Sequence, residues 1–243
     1  MRLSILIPAH NEADNILPLL AEIDAALGRP GLAPFLPAEI IVIDDGSTDA
    51  MPDQLKAALA NNPRLRVLRH DRRSGQSAAV QSGARAARGD WIATLDGDGQ
   101  NDPADLERLA MALSANPDLA FASGLRQKRR DTLSRRFASR FANKLRQSIL
   151  QDGCTDSACG LKIFRRDAFL ALPGFDGMHR FMPALFLSYG YRAVYIPISH
   201  RPRQRGVSKV TMAGRALIGI TDLFGVWWLK RRARRPLVSE ERS

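Results

Sequence analysis

Strand-like and helix-like segments alternate through the first half of this chain, and three of the strands run out into clusters of acidic and amide side chains. Leu3 to Ile7 reads as a strand, followed by the turn Pro8-Ala9-His10-Asn11-Glu12. Helical periodicity then carries Ile16, Leu17, Leu19, Leu20 and Ile23 as far as Gly28. A Pro- and Gly-rich connection covers 28–38. Glu39 to Ile43 is a second strand, ending in Asp44-Asp45-Gly46-Ser47-Thr48-Asp49. Ser47 or Thr48 is expected to cap the next helix, which stops near Asn61-Asn62-Pro63. Leu65 to Leu68 is a third strand, and Arg72-Arg73-Ser74-Gly75 leads into a helix through Ala78 to Ala87, stopped by Gly89. The fourth strand, from Trp91, ends in Asp96-Gly97-Asp98-Gly99-Gln100. Pro103 then opens a helix with Leu106, Leu109, Ala110 and Leu113 as its apolar face.

Such alternation predicts an α/β fold with a mostly parallel sheet covered on both faces. In sheets of that kind ligands bind beyond the carboxyl ends of the strands. Asn11/Glu12, Asp44/Asp45 and Asp96/Asp98 would then share one acidic rim. Each cluster alone is also an ordinary turn, since Asp and Asn favour turns. While the chain is extended, residues i and i+2 point the same way, so Asp96 and Asp98 can converge on one cation. Gly97 and Gly99 leave room for a bulky anion to approach the backbone. Mg²⁺ characteristically takes one or two carboxylates plus substrate phosphates. No Gly-x-Gly-x-x-Gly follows the first strand and no Gly-x-x-x-x-Gly-Lys-Ser/Thr loop occurs, which argues against a dinucleotide dehydrogenase and a P-loop NTPase.

The net charge of +11 on 243 residues points to an anionic partner: nucleic acid, acidic membrane or a phosphorylated substrate. Much of the excess lies in 126–146 and 230–242. The only cysteines, Cys154 and Cys159, indicate neither a disulfide framework nor a four-ligand zinc site, so two buried or idle thiols in a reducing cytosol are expected. The first residues run straight into a strand without a signal-peptide layout. No apolar stretch reaches the ~18–20 residues that cross a bilayer.

Three stretches together resemble the family 2 glycosyltransferases of the GT-A fold: Ile7-Pro8-Ala9-His10-Asn11-Glu12, Val42-Ile43-Asp44-Asp45-Gly46-Ser47-Thr48-Asp49 and Leu95-Asp96-Gly97-Asp98-Gly99-Gln100-Asn101-Asp102-Pro103. The resemblance implies a single GT-A (Rossmann-like) domain over 1–211, with a nucleotide-sugar half at 1–123 and an acceptor half at 124–211. Pro8, Ala9, Asn11, Glu12, Asp44, Asp45 and Gly75 would bind the GDP- or UDP-sugar. Asp96 and Asp98 would hold Mg²⁺ or Mn²⁺ on its diphosphate, with Gln100 as a further oxygen ligand. The ion would serve as a Lewis acid on the leaving group.

In the second half, Leu133, Phe137, Phe141, Leu145 and Ile149 recur every four positions, one apolar stripe on a helix. Arg136, Arg140 and Lys144 run beside it, after Arg126, Lys128, Arg129 and Arg130. A charge run is commonly a solvated face, but cations bordering an apolar stripe also suit an acceptor with a phosphate head and an apolar tail. Arg matches phosphate because its guanidinium donates in a fork. Ser139-Arg140-Phe141-Ala142-Asn143, the run from Asp156 to Lys162, the run from His179 to Leu185, and the run from His200 to Lys209 resemble dolichol-phosphate mannosyltransferases and their bacterial polyprenyl-phosphate relatives. Cys159 stands where a serine is frequent. The resemblance implies a mannose- or glucose-type sugar moving to dolichyl or undecaprenyl phosphate. Arg126, Arg140 and Arg203 would gather around the phosphates with Asp98 as the catalytic set. Arg136, Ser139 and Asn143 would contact the acceptor, and Ser208 and Lys209 would close over the site.

A phosphate acceptor is ionised at neutral pH and needs no general base, so inverting in-line displacement by positioning and electrostatics is expected. His10, His70, His179 and His200 are then structural or positioning residues. A hydroxyl acceptor would need a base, for which Asp102 and Asp156 are the candidates. A nucleic-acid-binding module would share the positive charge, but the acidic rim repels polyphosphate and aromatic–basic interleaving is sparse. Ala216 to Leu229 reads as an apolar helix with Leu217, Ile220, Phe224 and Trp227 on one face and Gly219 and Asp222 opposite. Within 212–243 it leads into a polybasic run at Lys230, Arg231, Arg232, Arg234 and Arg235. It is expected to lie along a membrane surface, or to pack on the enzyme's own core. The expected location is the cytoplasmic face of a membrane, with an integral-membrane partner as a further expectation.

Overall fold

The computed structural model describes residues 1–126, 146–199, 201 and 212–233, the last segment with side chains from Gly219 onward. Seven strands form one sheet in the order β3-β2-β1-β4-β6-β5-β7. They are β1 (Leu3–Ala9), β2 (Ala38–Asp44), β3 (Leu65–Arg69), β4 (Trp91–Thr94), β5 (Leu119–Arg126), β6 (Lys162–Arg165) and β7 (Arg192–Ile198). All run parallel except β6, which is antiparallel to both β4 and β5. The helices of the first half are α1 (Ala13–Leu27), α2 (Met51–Leu59), α3 (Gln76–Ala86) and α4 (Leu106–Ala115).

Side chains alternate across a strand, and here both directions are apolar. Leu3, Ile5 and Ile7 of β1, Ile40 and Val42 of β2 and Ala93 of β4 pack beneath α1 and α4. Leu6, Ile41, Ile43 and Ile92 point the other way, onto Ala79, Val80 and Ala84 of α3. Phe121, Phe164 and Phe186 extend that second layer, with ring centroids 4.7 to 6.3 Å apart. Burial on both faces is what a parallel sheet requires. The acidic clusters after β1, β2 and β4 therefore lie together at the carboxyl edge of the sheet.

Three local expectations are revised. The 28–38 connection contains a 3-10 helix, Pro30–Phe35, which buries Leu32 and Phe35 and sets the Phe35 ring edge-on to Trp91 at 5.7 Å. Helix α2 starts at Met51 behind Ala50, so neither Ser47 nor Thr48 caps it. Both bond Asn11 instead, and Asp49 accepts the Met51 N–H at 3.1 Å. Helix α3 begins at Gln76, two residues earlier than expected, because the preceding loop is held by Asp45.

The remaining elements are α5 (Arg166–Leu170), a 3-10 turn at Met178–Arg180, α6 (Met182–Ser188) and α7 (Met212–Arg232). Helix α7 is longer than the expected span. Leu223 and Val226 are buried in the second layer, while Ile220, Phe224, Trp227 and Trp228 face outward. The basic apolar stripe from Leu133 to Leu145 lies outside the described residues. Residues 146–150 are helical, with Arg146 buried against Asp152 at 2.7 Å.

Candidate active site

The loops after β1 and β2 are sewn together at the carboxyl edge. Asn11, at φ 56°, donates its N–H to Ser47 Oγ at 2.9 Å and accepts the Thr48 N–H at 2.8 Å. The Ala13 N–H donates to Asp49 at 3.0 Å, and Glu12, at the start of α1, accepts from the Asn15 amide at 2.7 Å. Asp44 is buried, takes the Ser47 N–H at 2.8 Å and lies 3.4 Å from Arg69 Nε.

Asp45 is buried as well. Its carboxylate accepts the N–H groups of Ser74 and Gly75, each at 2.8 Å, and pairs with His70 Nδ1 at 2.7 Å. Burial by itself would raise the Asp45 carboxyl, but those partners outweigh it and hold it below the usual carboxylate range. Asp44 and Asp45 therefore build the rim from within: Asp45 accepts the Gly75 N–H, and Pro8 and Ala9 lie at the end of the neighbouring strand β1. Gly46 is required here: it sits at φ +70°, and a Cβ would come within 2.7 Å of the Arg72 and Arg73 backbone.

Asp96 and Asp98 stand on the turn after β4. The Gln76 amide, in the first turn of α3, donates to Asp96 Oδ1 at 2.8 Å, and Asp98 accepts the Gln100 N–H at 3.1 Å. Gly160 is pressed against the Asp96 carboxylate so closely that a Cβ would collide with it. Thr94 Oγ1 donates to the Gly160 carbonyl at 2.7 Å and holds that segment in place. The two glycines of the turn differ from expectation. Gly97 packs on Ala9, where a Cβ would be 3.0 Å from the Ala9 methyl, and only Gly99, at φ +70°, opens onto free space.

Burial, reinforced by the negative charge of Asp98, pushes the Asp96 carboxyl up to about 6, while Lys162 and Arg126 act against the rise. Two adjacent carboxylates, one raised by the charge of the other as well as by desolvation, fit a divalent ion. Among the described residues no group of three or more His, Cys, Asp or Glu closes around one. Most coordination positions would therefore be left for phosphate oxygens and water, the arrangement Mg²⁺ and Mn²⁺ accept.

Arg126, at the end of β5, forks onto Asp156 at 2.6 and 2.7 Å and still lies near enough to Asp96 to influence it. Asp102 is bonded to Arg201 at 2.7 Å, and the Arg201 N–H donates to the Gln100 carbonyl at 3.1 Å. Both candidate bases for a hydroxyl acceptor are thus arginine-paired. His179 is half-buried with Nδ1 2.7 Å from Ser77 Oγ; desolvation, then the charges of Lys162 and Arg180, push it down to about 3, so it is neutral. His10 Nδ1 bonds the Asp45 carbonyl at 2.9 Å. Cys154 and Cys159 are both buried, and burial pushes Cys154 up to about 11.

The buried Lys162, whose ammonium donates to the Cys159 carbonyl, was given no role by sequence reading, nor were Gln76 and Gly160. One signal existed: Lys162 is a lone charge entering the apolar run Ile163-Phe164. Arg136, Ser139, Arg140, Asn143, Arg203, Ser208, Lys209 and His200 lie outside the described residues.

The sequence model of glycosyl transferase family 2 matches residues 4–172, from β1 through the acidic turn to α5. The chain belongs to that family. A dodecaprenyl-phosphate galacturonate synthase of Rhizobium johnstonii is 34% identical to this glycosyltransferase over 241 residues, covering 97% of the chain and 69% of that relative. An undecaprenyl-phosphate 4-deoxy-4-formamido-L-arabinose transferase of Klebsiella pneumoniae is 34% identical over 209 residues, 86% of the chain and 62% of the relative. The chain thus spans about two thirds of the length of these curated relatives. Among solved structures, a mannosyltransferase from Pyrobaculum calidifontis in complex with GDP-Man and Mn²⁺ superposes with a TM-score of 0.64 at 22% identity, covering 96% of this chain and 65% of that one. Glucosyl-3-phosphoglycerate synthase from Mycobacterium tuberculosis, in complex with Mn²⁺ and UDP, gives 0.68 at 17% identity, covering 96% and 81%. These two establish the shared GT-A-like fold.

Proposed function

We propose that this family 2 glycosyltransferase moves a sugar from a nucleotide-sugar to a polyprenyl phosphate with inversion, assisted by Mg²⁺ or Mn²⁺. The observation that carries the reading is the pair Asp96 and Asp98 at the sheet edge, beside candidate bases already locked by arginine. A nucleophile arriving there must bring its own negative charge, and a phosphate monoester does. The two curated relatives, named for polyprenyl-phosphate substrates, support the same acceptor class.

Asp96 and Asp98 hold the metal in this reading, with Gln100 as a further oxygen ligand. When bound, the ion neutralises charge on the departing diphosphate. Pro8, Ala9, Asn11, Glu12 and Gly75 line the nucleotide cradle that Asp44 and Asp45 keep in shape. Arg126, Arg140 and Arg203 surround the phosphates. Arg136, Ser139 and Asn143 contact the acceptor, and Ser208 and Lys209 close the loop. A nucleotide-sugar donor and a lipid acceptor together imply the cytoplasmic face of a membrane. The finer proposal of a mannosyl or glucosyl donor rests on motif resemblance; the curated relatives are named for galacturonate and 4-deoxy-4-formamido-L-arabinose.

The test incubates the enzyme with Mn²⁺ and GDP-mannose, UDP-glucose, UDP-galacturonate or UDP-4-deoxy-4-formamido-L-arabinose, with a polyprenyl phosphate or the matching polyprenol. Product is expected from the phosphate alone. Equal product from the polyprenol overturns the acceptor assignment.

A further inference from the structure

The turn that carries Asp96 and Asp98 is open on one flank. Nothing among the described residues comes within 4 Å of a Cβ built at Gly99, which sits at φ +70°. A carboxylate on so open a turn meets a metal in one geometry only if contacts behind it hold it there. Those contacts come from the segment that leaves β7.

Asp98 accepts the Gln100 N–H at 3.1 Å, and the Gln100 carbonyl accepts the Arg201 N–H, also at 3.1 Å. The backbone of Gln100 thus joins Asp98 to Arg201. The Arg201 guanidinium reaches two further carboxylates. One terminal nitrogen lies 2.7 Å from Asp102, on the same turn, and the other donates to Glu22 of α1 at 2.6 Å. Helix α1 buries Ile16, Leu19, Leu20 and Ile23, so Glu22 stands on a fixed element. Asp102 also accepts the Ala104 N–H at 3.0 Å, capping the 3-10 turn Pro103–Asp105. Two residues before Arg201, the Ser199 N–H and hydroxyl donate to the buried Asp105 at 2.8 and 2.6 Å. The chain after β7 is therefore fastened along the whole of 100–105, and Arg201 alone carries the fastening across to α1.

We propose that Arg201 is a positioning residue for metal binding. Anchored on α1 through Glu22, it holds Gln100 and Asp102, and through Gln100 it fixes Asp98 in the orientation a divalent ion requires. The proposal rests on the reading of Asp96 and Asp98 as the metal pair. A bracing role of this kind differs from a contribution to overall stability. Water screens ion pairs as exposed as these, whose side chains are 27% to 43% accessible, so their loss changes global stability little. Loosening a carboxylate that must meet an ion in fixed geometry acts on affinity instead.

Mn²⁺ is titrated into the full chain well below its melting temperature, and the free ion is read from its electron paramagnetic resonance signal. Arg201→Gln should weaken Mn²⁺ binding about tenfold, the effect typical of removing a contact behind a metal ligand, while the metal-free protein melts near the parent's temperature. Glu22→Gln removes only the anchor on α1 and should reproduce much of that loss; it also decides the matter if Arg201→Gln does not fold. The double variant should bind no more weakly than Arg201→Gln, since both changes break one connection. In each variant the Mn²⁺ concentration for half-maximal turnover should rise by the same factor as the dissociation constant. A parent that binds Mn²⁺ while both single variants bind it equally well overturns the proposal and leaves the metal assignment standing. So do losses that add in the double variant, or a loss of affinity accompanied by a large fall in melting temperature. A parent that binds no Mn²⁺, or an Asp98→Asn variant that binds it as the parent does, overturns the metal assignment and the proposal with it.

Discussion

Replacing Asp96 with asparagine should make the metal-free protein more stable at neutral pH while abolishing turnover. The Asp96 carboxyl rises from 3.8 to about 6 through burial and the neighbouring Asp98. A folded-state pKa above the unfolded one means that the folded protein holds this proton more tightly. The resulting stabilisation is complete below pH 3.8 and is lost as pH rises through about 6. At ~1.4 kcal/mol for each tenfold change in proton affinity, an ionised Asp96 costs the metal-free fold about 3 kcal/mol at pH 7.5. Asparagine keeps the shape and the acceptor for Gln76 and carries no charge. At roughly 2–4 °C per kcal/mol for a chain of this size, the variant should melt roughly 6–12 °C higher in EDTA at pH 7.5. At pH 4 the advantage should nearly vanish. Mn²⁺ should raise the melting temperature of the wild type and leave the variant unmoved. Differential scanning calorimetry at the two pH values, with and without Mn²⁺, checks all of this. A variant no more stable than the parent at pH 7.5, or equally stabilised by Mn²⁺, would refute the reasoning.

Asp98→Asn should eliminate product formation while leaving circular dichroism unchanged; retained activity would contradict its part in holding metal. Gly160→Ala drives a methyl into the Asp96 carboxylate, and displacing that group should cost on the order of 100-fold in kcat/KM, measured with saturating Mn²⁺. His179 is held neutral down to about pH 3. A depressed folded pKa on a histidine gives stability that is present above 6.5 and lost as pH falls. His179→Asn should therefore reduce the loss between pH 7.5 and 5.5 by about 1 kcal/mol in urea unfolding.

The order β1 to β4, their helices and the acidic rim were readable because each depends on neighbours in sequence: apolar period, turn chemistry, and carboxylates two residues apart on extended chain. The same locality led to mistakes. Ser47 and Thr48 have the chemistry of helix caps, yet Asn11, a distant partner, takes them. Gly97 and Gly99 look alike in sequence, but Ala9 fills the space beside one and nothing approaches the other. On α7, Ile220, Phe224 and Trp227 were readable as one face from helical spacing. The sequence also allowed that helix to lie on the enzyme's own core, and the Leu223 and Val226 face does so, while Ile220, Phe224 and Trp227 stay exposed.

By itself, then, the amino-acid order determined an α/β sheet with two adjacent carboxylates at its carboxyl edge, since short-range periodicity and spacing are sufficient for that. Tertiary structure alone decided the insertion of antiparallel β6 between β4 and β5 and the burial of Lys162 near Asp96. It also decided the arginine locks on Asp102 and Asp156 and the bond from His179 to Ser77, 102 residues away. Those facts are set by which distant segments meet, and the charge state of Asp96 follows from the dielectric and the cations they bring with them.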